Sequence, residues 1–288
     1  MVRRIYAVCI VGLFLLNIFV WREVFELAQN QYLKVSVLDV GQGDSIFIKT
    51  PAMHQILIDG GPGPKVLGKL QEAMPFWDRS LDMIVLTHPD ADHLAGLLYV
   101  LEKYQVVYVM WTGVVRDGQL YQRWLEVLAK AERKGTKIIV ANPSQQIISD
   151  TVLMTTVNPR EDVGGQYFKD SSNELGIVSR LDFGKNSFLF TADIGAPTEK
   201  ALIENGVDLN VDVLKVGHHG SRFSTSEEFL EVVSPELAVI SVGKDNTYGH
   251  PTAEVLQRLG KFGINALRTD QYGDIEILSD GNTIYIKK

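Results

Sequence analysis

Thr87-His88-Pro89-Asp90-Ala91-Asp92-His93 is the stretch on which the reading of this chain turns. Leu81 and the run Met83 to Leu86 lead into it as a buried strand would, and Leu94 to Leu101 leaves it with helical spacing. From His88 to His93, two imidazoles and two carboxylates fall within six positions. At a strand-to-helix turn, side chains at alternate positions converge, and His together with carboxylate suits borderline and harder divalent ions. Capping of a helix opened by His93 would account for one Asp, with Asp92 the natural cap. It leaves a second Asp and two His unexplained, whereas a metal site uses all four.

Three further polar clusters lie where apolar runs end. Thr191-Ala192-Asp193 follows Phe188-Leu189-Phe190, Lys215-Val216-Gly217-His218-His219-Gly220-Ser221 follows Val211 to Leu214, and Asn246-Thr247-Tyr248-Gly249-His250 follows Val239-Ile240-Ser241-Val242. Each has a plain alternative. Asp193 could cap a helix beginning near Ala196, the His pair could be one core and one surface imidazole, and His250 could open a helix at Pro251. Five of the six His nevertheless fall at the C-terminal ends of expected strands, where α/β folds gather ligands. Only His54 stands apart, in a loop and expected to be solvated.

The chain around these clusters is first β, then α/β, and then repeats that order. Strands are expected over 33–38, 46–48 and 55–61, with a helix over 64–74. Strands at 83–87, 106–111 and 137–140 then alternate with helices from 93 and over 119–133. Segments 151–157 and 175–191 return to β, with a hairpin around Gly184-Lys185-Asn186. Strands at 211–216 and 236–242 alternate with helices at 196–204, 226–233 and 251–261, and strands at 264–268, 274–278 and 282–287 close the chain. No Pro/Ser-rich linker or short repeat divides it, so one domain over 30–288 is expected. Two such halves would pack sheet on sheet with helices outside, their strand ends meeting at one rim.

Composition narrows the chemistry. The single cysteine, Cys9, permits neither a disulfide framework nor a zinc-thiolate site, so a metal must be held by His, Asp, Glu or Asn. A formal charge of −7 provides no broad basic surface, so tight non-specific binding to long nucleic acid is not implied, although a nucleic acid could still be a substrate held mainly by metal. Residues 5–21 carry no formal charge and lie between Arg3-Arg4 and Arg22-Glu23, a run near the roughly 20 residues that span a bilayer. A small-x-small cleavage site is missing at Val20-Trp21-Arg22, so the segment reads as an uncleaved anchor over 1–29 with Trp21 at the interface. Arg3 and Arg4 favour a cytoplasmic N-terminus and an extracytoplasmic domain, against which Arg22 is the one contrary charge. A helix apolar on all faces has little to pack against at a chain terminus, which counts against a buried core helix.

The clusters, together with Val37-Leu38-Asp39-Val40-Gly41-Gln42-Gly43-Asp44-Ser45, Leu57-Ile58-Asp59-Gly60-Gly61 and Tyr248-Gly249-His250-Pro251, resemble the metallo-β-lactamase superfamily from residue 33 to about 280. More narrowly they resemble the hydrolase domain of the ComEC (Rec2-like) competence family. The resemblance implies a four-layer αββα sandwich with a pair of divalent ions, Zn or Mn, at the rim. By position, His88 and Asp90 would serve one ion and Asp92 and His93 the other, with Asp193 bridging. One of the paired imidazoles, His219 before His218, would complete the second ion's shell of ligands, leaving His218 to touch substrate or to support a ligand. Asp92, His218 and His250 would carry the reaction, while Asp39, Asp44 and Asp59 resemble supporting carboxylates, Lys215 an extra cation and Tyr248 a rim residue.

Two departures from the wider superfamily stand out. Asp90 occupies a place usually given to His, and Ser171-Ser172-Asn173 stands where a third His is expected, with Asn173 the candidate substitute. An oxygen-richer shell is a harder site, which brings Mn into contention with Zn. The expected substrate is a phosphodiester, with single-stranded DNA, extracellular DNA and a cell-wall phosphodiester such as a phosphocholine ester equally open. The multi-helix channel of full competence proteins is not in this sequence, so a role in DNA uptake would require a separate channel. The other reading is a non-catalytic module with a degenerate metal site that binds nucleotide or a partner at the membrane.

Overall fold

The structure, a computed structural model, describes residues 2–28, 32–168 and 173–287. Ser171 and Ser172, and the expected boundary at 29/30, lie outside the described residues. A long helix, α1 (Val2–Ala28), leads. Then come β1 (Leu33–Val37), β2 (Ile46–Lys49), β3 (Gln55–Ile58), α2 (Lys65–Ala73), β4 (Ser80–Leu86), α3 (Ala91–Lys103), β5 (Gln105–Trp111), α4 (Gln119–Arg133) and β6 (Lys137–Val140). The second half runs β7 (Gln146–Ser149), β8 (Val152–Asn158), β9 (Val178–Phe183), β10 (Asn186–Phe190), α5 (Ala196–Glu204), β11 (Val213–Lys215), α6 (Glu227–Val233), β12 (Leu237–Ile240), α7 (Ala253–Lys261), β13 (Asn265–Arg268), α8 (Thr269–Tyr272), β14 (Ile275–Ser279) and β15 (Ile284–Lys287).

The described strands form two sheets, one ordered β15-β14-β1-β2-β3-β4-β5-β6 and the other β13-β12-β11-β10-β9-β8-β7. Strands β3 to β6 are parallel, as are β10 to β13, so each half carries a βα series whose strand C-termini share an end. The near-continuous apolar character of β4, β10 and β12 follows from burial on both faces. Val35, Ile46, Ile58 and Val85 meet Met154, Leu181, Phe188 and Val239 between the sheets. Behind the first sheet, Phe47, Leu57, Ile84 and Leu86 pack on Leu70, Leu94, Leu97 and Trp124 of the helices. Leu189, Leu214 and Ile240 of the second sheet pack on Leu202, Phe229, Leu230 and Val255. The layers are therefore αββα.

Several local expectations are corrected. Helix α3 begins at Ala91 rather than His93, with Asp90 at the cap position and no capping bond from its side chain, so neither acid of the motif is used as a cap. Gly195, not Asp193, occupies the cap position of α5. Strand β7 is an edge strand whose two isoleucines alternate between half-buried and exposed, too weak a pattern to stand out in sequence. The closing strands divide between sheets: β13 joins β12, whereas the β14–β15 hairpin crosses to pair with β1. In α1, Arg3–Arg22 has mean hydropathy 2.0 and none of it is buried in the fold, which makes it long and apolar enough to cross a membrane.

Candidate metal centre

The C-terminal ends of the parallel strands converge where the two sheets meet. Strand β4 delivers His88, and the first turn of α3 presents Asp92 and His93. Strand β10 ends in Thr191-Ala192-Asp193, and β11 runs into a tight turn, Gly217–Gly220, that carries His218 and His219. Asp59, Ala192, His218 and His219 all have positive φ, between 47° and 57°. Such backbone costs on the order of 1–3 kcal/mol per residue and persists where surrounding structure over-determines it.

Ligand-type atoms of Asp92, His93, Asp193 and His219 lie within 4.8 Å of one another. Asp193 Oδ2 is the focus, 3.3 Å from His93 Nε2, 3.4 Å from His219 Nε2 and 3.8 Å from His218 Nε2. Asp92 Oδ2 is 3.2 Å from His219 Nε2 and 4.0 Å from His93 Nε2. The His88 ring lies against that of His93, their centroids 4.1 Å apart.

Hydrogen bonds behind the cluster orient these imidazoles. Asp59, fully buried, accepts from Thr87 N at 2.8 Å and Thr87 Oγ1 at 2.6 Å, and pairs with His93 Nδ1 at 2.8 Å. Because the Thr87 hydroxyl donates to Asp59, it is left to accept from His88 Nδ1, 3.0 Å away. A single carboxylate thereby turns the Nε2 atoms of both His88 and His93 inward, and both Nε2 atoms are buried without a hydrogen-bond partner. His219 Nδ1 donates to the Ser241 carbonyl at 3.0 Å, which directs its Nε2 to the same place. Asp193 Oδ1 is likewise buried and unpartnered. Buried polar atoms are rarely left unpaired, and those of His93 and Asp193 belong to one cluster with Asp92 and His219. Donors of this kind fit a divalent ion.

Electrostatics are consistent with that fit. Burial, followed by the neighbouring His93, pushes His88 down to about 3, so it is neutral and ligand-ready at physiological pH. Burial also disfavours charge on His93 and His219, yet Asp193 and the other carboxylates around them hold both well above the usual imidazole range. For Asp193, burial is outweighed by His219 and His93, and its carboxyl sits well below the usual range. Burial raises Asp59 despite His93 and Thr87.

The other expected site residues have varied placements. Lys215 is buried rather than solvent-facing. It pairs with Asp44, donates to the Ala192 carbonyl at 3.3 Å and lies 4.0 Å from Asp193 Oδ1, so it supports the cluster from beneath rather than facing substrate. Asp44 also faces His219 Nδ1 at 3.3 Å. Asp39 instead pairs with Lys65 at 3.0 Å and accepts from Gly41 N, shaping the turn that carries Asp44. Asp90 places Oδ2 3.9 Å from His88 Nε2 while Arg116 engages its Oδ1. Asn173 begins a short turn, its carbonyl accepting from Gly176 N at 2.9 Å, and the chain after it is tied to the motif through Ile177 N to the Thr87 carbonyl at 3.0 Å. His250 lies edge to face with His218 at 5.7 Å and Tyr248 stacks on His250 at 5.9 Å. His54 is exposed, with Nδ1 2.8 Å from Ser149 Oγ.

Sequence reasoning does not single out Arg116, Thr87 or Ser241. Thr87 and Ser241 sit inside the quoted motifs, and Arg116 follows the end of β5, the position from which the other parallel strands deliver ligands. A cleft of about 360 Å³ beside the cluster includes Asp90, Asp92, Arg116 and Asp117 in its walls.

Comparison with known proteins agrees with this architecture. A family model described as the metallo-beta-lactamase superfamily matches residues 38–244. ComE operon protein 3 of Bacillus subtilis (strain 168) is 31% identical over 262 residues, 84% of this chain and 32% of that protein. The competence protein ComA of Neisseria gonorrhoeae is 32% identical over 243 residues, again 84% of this chain and 32% of that protein. The chain thus spans about a third of the length of these relatives. Igni18, a metallo hydrolase of Ignicoccus hospitalis KIN4/I, shares the fold with TM-score 0.54 at 14% identity, over 85% of this chain and 98% of that structure. The chain therefore belongs to the metallo-β-lactamase superfamily and is related to the bacterial competence proteins.

Proposed function

We propose that the chain is a membrane-anchored phosphodiesterase dependent on a pair of divalent ions, Zn or Mn, with its catalytic domain outside the cytoplasm and single-stranded DNA as its foremost substrate. The observation that carries the reading is the convergence of the Nε2 atoms of His93 and His219 on Asp193 and Asp92, with His88 stacked against His93 and facing Asp90, each imidazole fixed by a hydrogen bond on its far side. Asp92, His93, His219 and Asp193 would hold one ion, and His88 with Asp90 the other, Asp193 being shared. Bound there, such ions supply Lewis acidity toward a phosphoryl oxygen and acidify water for attack. Asp59, through Thr87, keeps the imidazoles in one tautomer and orientation. Lys215 offsets negative charge among the buried carboxylates, and Arg116 is a cation at the rim suited to a phosphate oxygen. Burial lowers both His218 and His250, the latter also through His218, so both rings are neutral at physiological pH and can face an anionic substrate or its leaving group. The competence proteins named among the relatives favour DNA over another diester.

The full chain in detergent, supplied with Mn²⁺ or Zn²⁺, is expected to cleave labelled single-stranded DNA and bis-p-nitrophenyl phosphate. Asp193→Asn should lower turnover about a thousandfold or more. Bound metal with no cleavage of either substrate would sink the phosphodiesterase reading. Protease added outside intact cells should degrade the domain beyond α1, and protection until lysis would reverse the proposed orientation.

A second reading has one observation in its favour: Arg116, not the ligand cluster, engages Asp90 Oδ1. A non-catalytic module that holds a single ion and binds nucleotide or a partner would retain one equivalent of metal at saturation, whereas the enzyme would retain two.

A further inference from the structure

We infer that Tyr248 is a substrate-positioning residue that stacks a nucleobase beside the scissile phosphodiester, with Phe223 as a second platform. The inference rests on the phosphodiesterase reading and assigns the residues by which a single-stranded nucleic acid would be told from a duplex or a baseless diester. Tyr248 leaves 70% of its surface exposed and Phe223 67%. Lone exposed aromatics are ordinary, but these two lie on the loops that carry the rim imidazoles. The Tyr248 ring stacks on His250 at 5.9 Å and 24°, His250 meets His218 at 5.7 Å, and His218 Nε2 reaches 3.8 Å from Asp193 Oδ2. A continuous series of rings thus leads from solvent to the metal centre.

The exposed ring is also held in place. The Asn246 side chain accepts from Tyr248 N at 3.2 Å and His250 N at 3.1 Å, and donates to the carbonyls of Gly243 at 2.8 Å and His250 at 2.7 Å. Four bonds from one side chain fix a loop whose aromatic residue gains little from burial, an arrangement that lowers the entropy cost of binding. The neighbouring loop is tied on through Thr252 N to the Gly220 carbonyl, 2.9 Å. It bears Phe223, with the Arg222 guanidinium 4.9 Å from the ring centre, so an aromatic face and a cation are offered together. Aromatic faces beside cations are how single strands are bound without sequence preference, each stacked base contributing about 1–3 kcal/mol. A duplex keeps its bases stacked internally and would gain nothing here.

The test compares oligo(dT) with a length-matched abasic strand, using the full chain with Mn²⁺ and measuring kcat and KM separately. Tyr248→Ala should raise KM for oligo(dT) about tenfold, leave KM for the abasic strand within about twofold, and spare kcat, a change within the range of one lost stack. Tyr248→Trp should restore KM. Equal losses on both strands, or no loss on either, would overturn the inference. If the wild type cleaves neither strand, the phosphodiesterase reading fails separately. The stacking claim is then decided by fluorescence of Tyr248→Trp over the wild-type background: quenching by oligo(dT) but not by the abasic strand upholds it, and any other pattern rejects it.

Discussion

Lys215 and Asp44 form an ion pair with both side chains almost wholly removed from solvent, beneath a site assembled from other charges. Burial opposes ionisation of Asp44, but Lys215 and then His219 hold its carboxyl below the usual range. Removing one partner of such a pair strands the other, which typically costs about 3–5 kcal/mol. Lys215→Met should lower unfolding stability in urea by about that much, and the Lys215→Met/Asp44→Asn double variant should recover a substantial part. A single variant as stable as wild type would mean that His219 alone compensates Asp44. At this scale sequence was informative about which residue types gather and uninformative about their environment. Lys215 ends a strand of only three residues, and nothing local distinguishes a buried lysine from a solvated one.

The elements are held at the site by close backbone approaches. Gly60 N donates to the His93 carbonyl and Gly96 N to the Gly61 carbonyl, so α3 lies directly on the turn after β3. A Cβ at Gly96 would fall 1.8 Å from the Gly60 carbonyl oxygen, and one at Gly43 2.2 Å from the Asp92 carbonyl oxygen. Gly96→Ala should therefore destabilise by about 1–3 kcal/mol or more and displace the helix turn that carries His93. Gly68, an exposed position in α2 with open space where an added methyl group would sit, provides the control. Gly68→Ala should stabilise by about 0.5–1 kcal/mol through helix propensity, and thermal unfolding of the two variants should separate the effects in sign. Most helices and strands were legible because their apolar periods are strong. The edge strand β7 and the crossing of β14–β15 to the first sheet were not, since both depend on partners distant in sequence.

Across the whole molecule, the candidate centre joins the two sheets: His88, Asp92 and His93 come from the first half, Asp193 and His219 from the second. An ion bound there bridges both halves and should stabilise the fold by about 2.7 kcal/mol at a hundred times its Kd. Above the carboxylate range, the pH dependence has opposite signs with and without metal. Without metal, the depressed Asp92 and Asp193 add stability above the unfolded carboxylate value near 4, which is lost as pH falls through their folded values. The raised His93 and His219 add stability below the unfolded value near 6.5, which is lost as pH rises through theirs. A metal must displace those imidazole protons, so its affinity rises with pH. The gap in Tm between Mn²⁺-loaded and chelator-treated chain should widen from pH 6 to pH 8, with proton release on binding measurable by calorimetry in buffers of different ionisation enthalpy. A constant gap would remove His93 and His219 from the ligand set.

Sequence by itself determined the order of β and βα units, the long apolar N-terminal helix and the identity of the residues that gather at strand ends, because these follow from hydrophobic period and residue chemistry within short windows. Tertiary structure alone decided that Asp59 orients two imidazoles through Thr87, that Lys215 lies buried on Asp44, that Asp90 meets Arg116 and that Tyr248 ends a series of rings leading to Asp193. Each of those relations joins side chains from different elements, and their directions are set by how the two sheets pack rather than by the residues on either side.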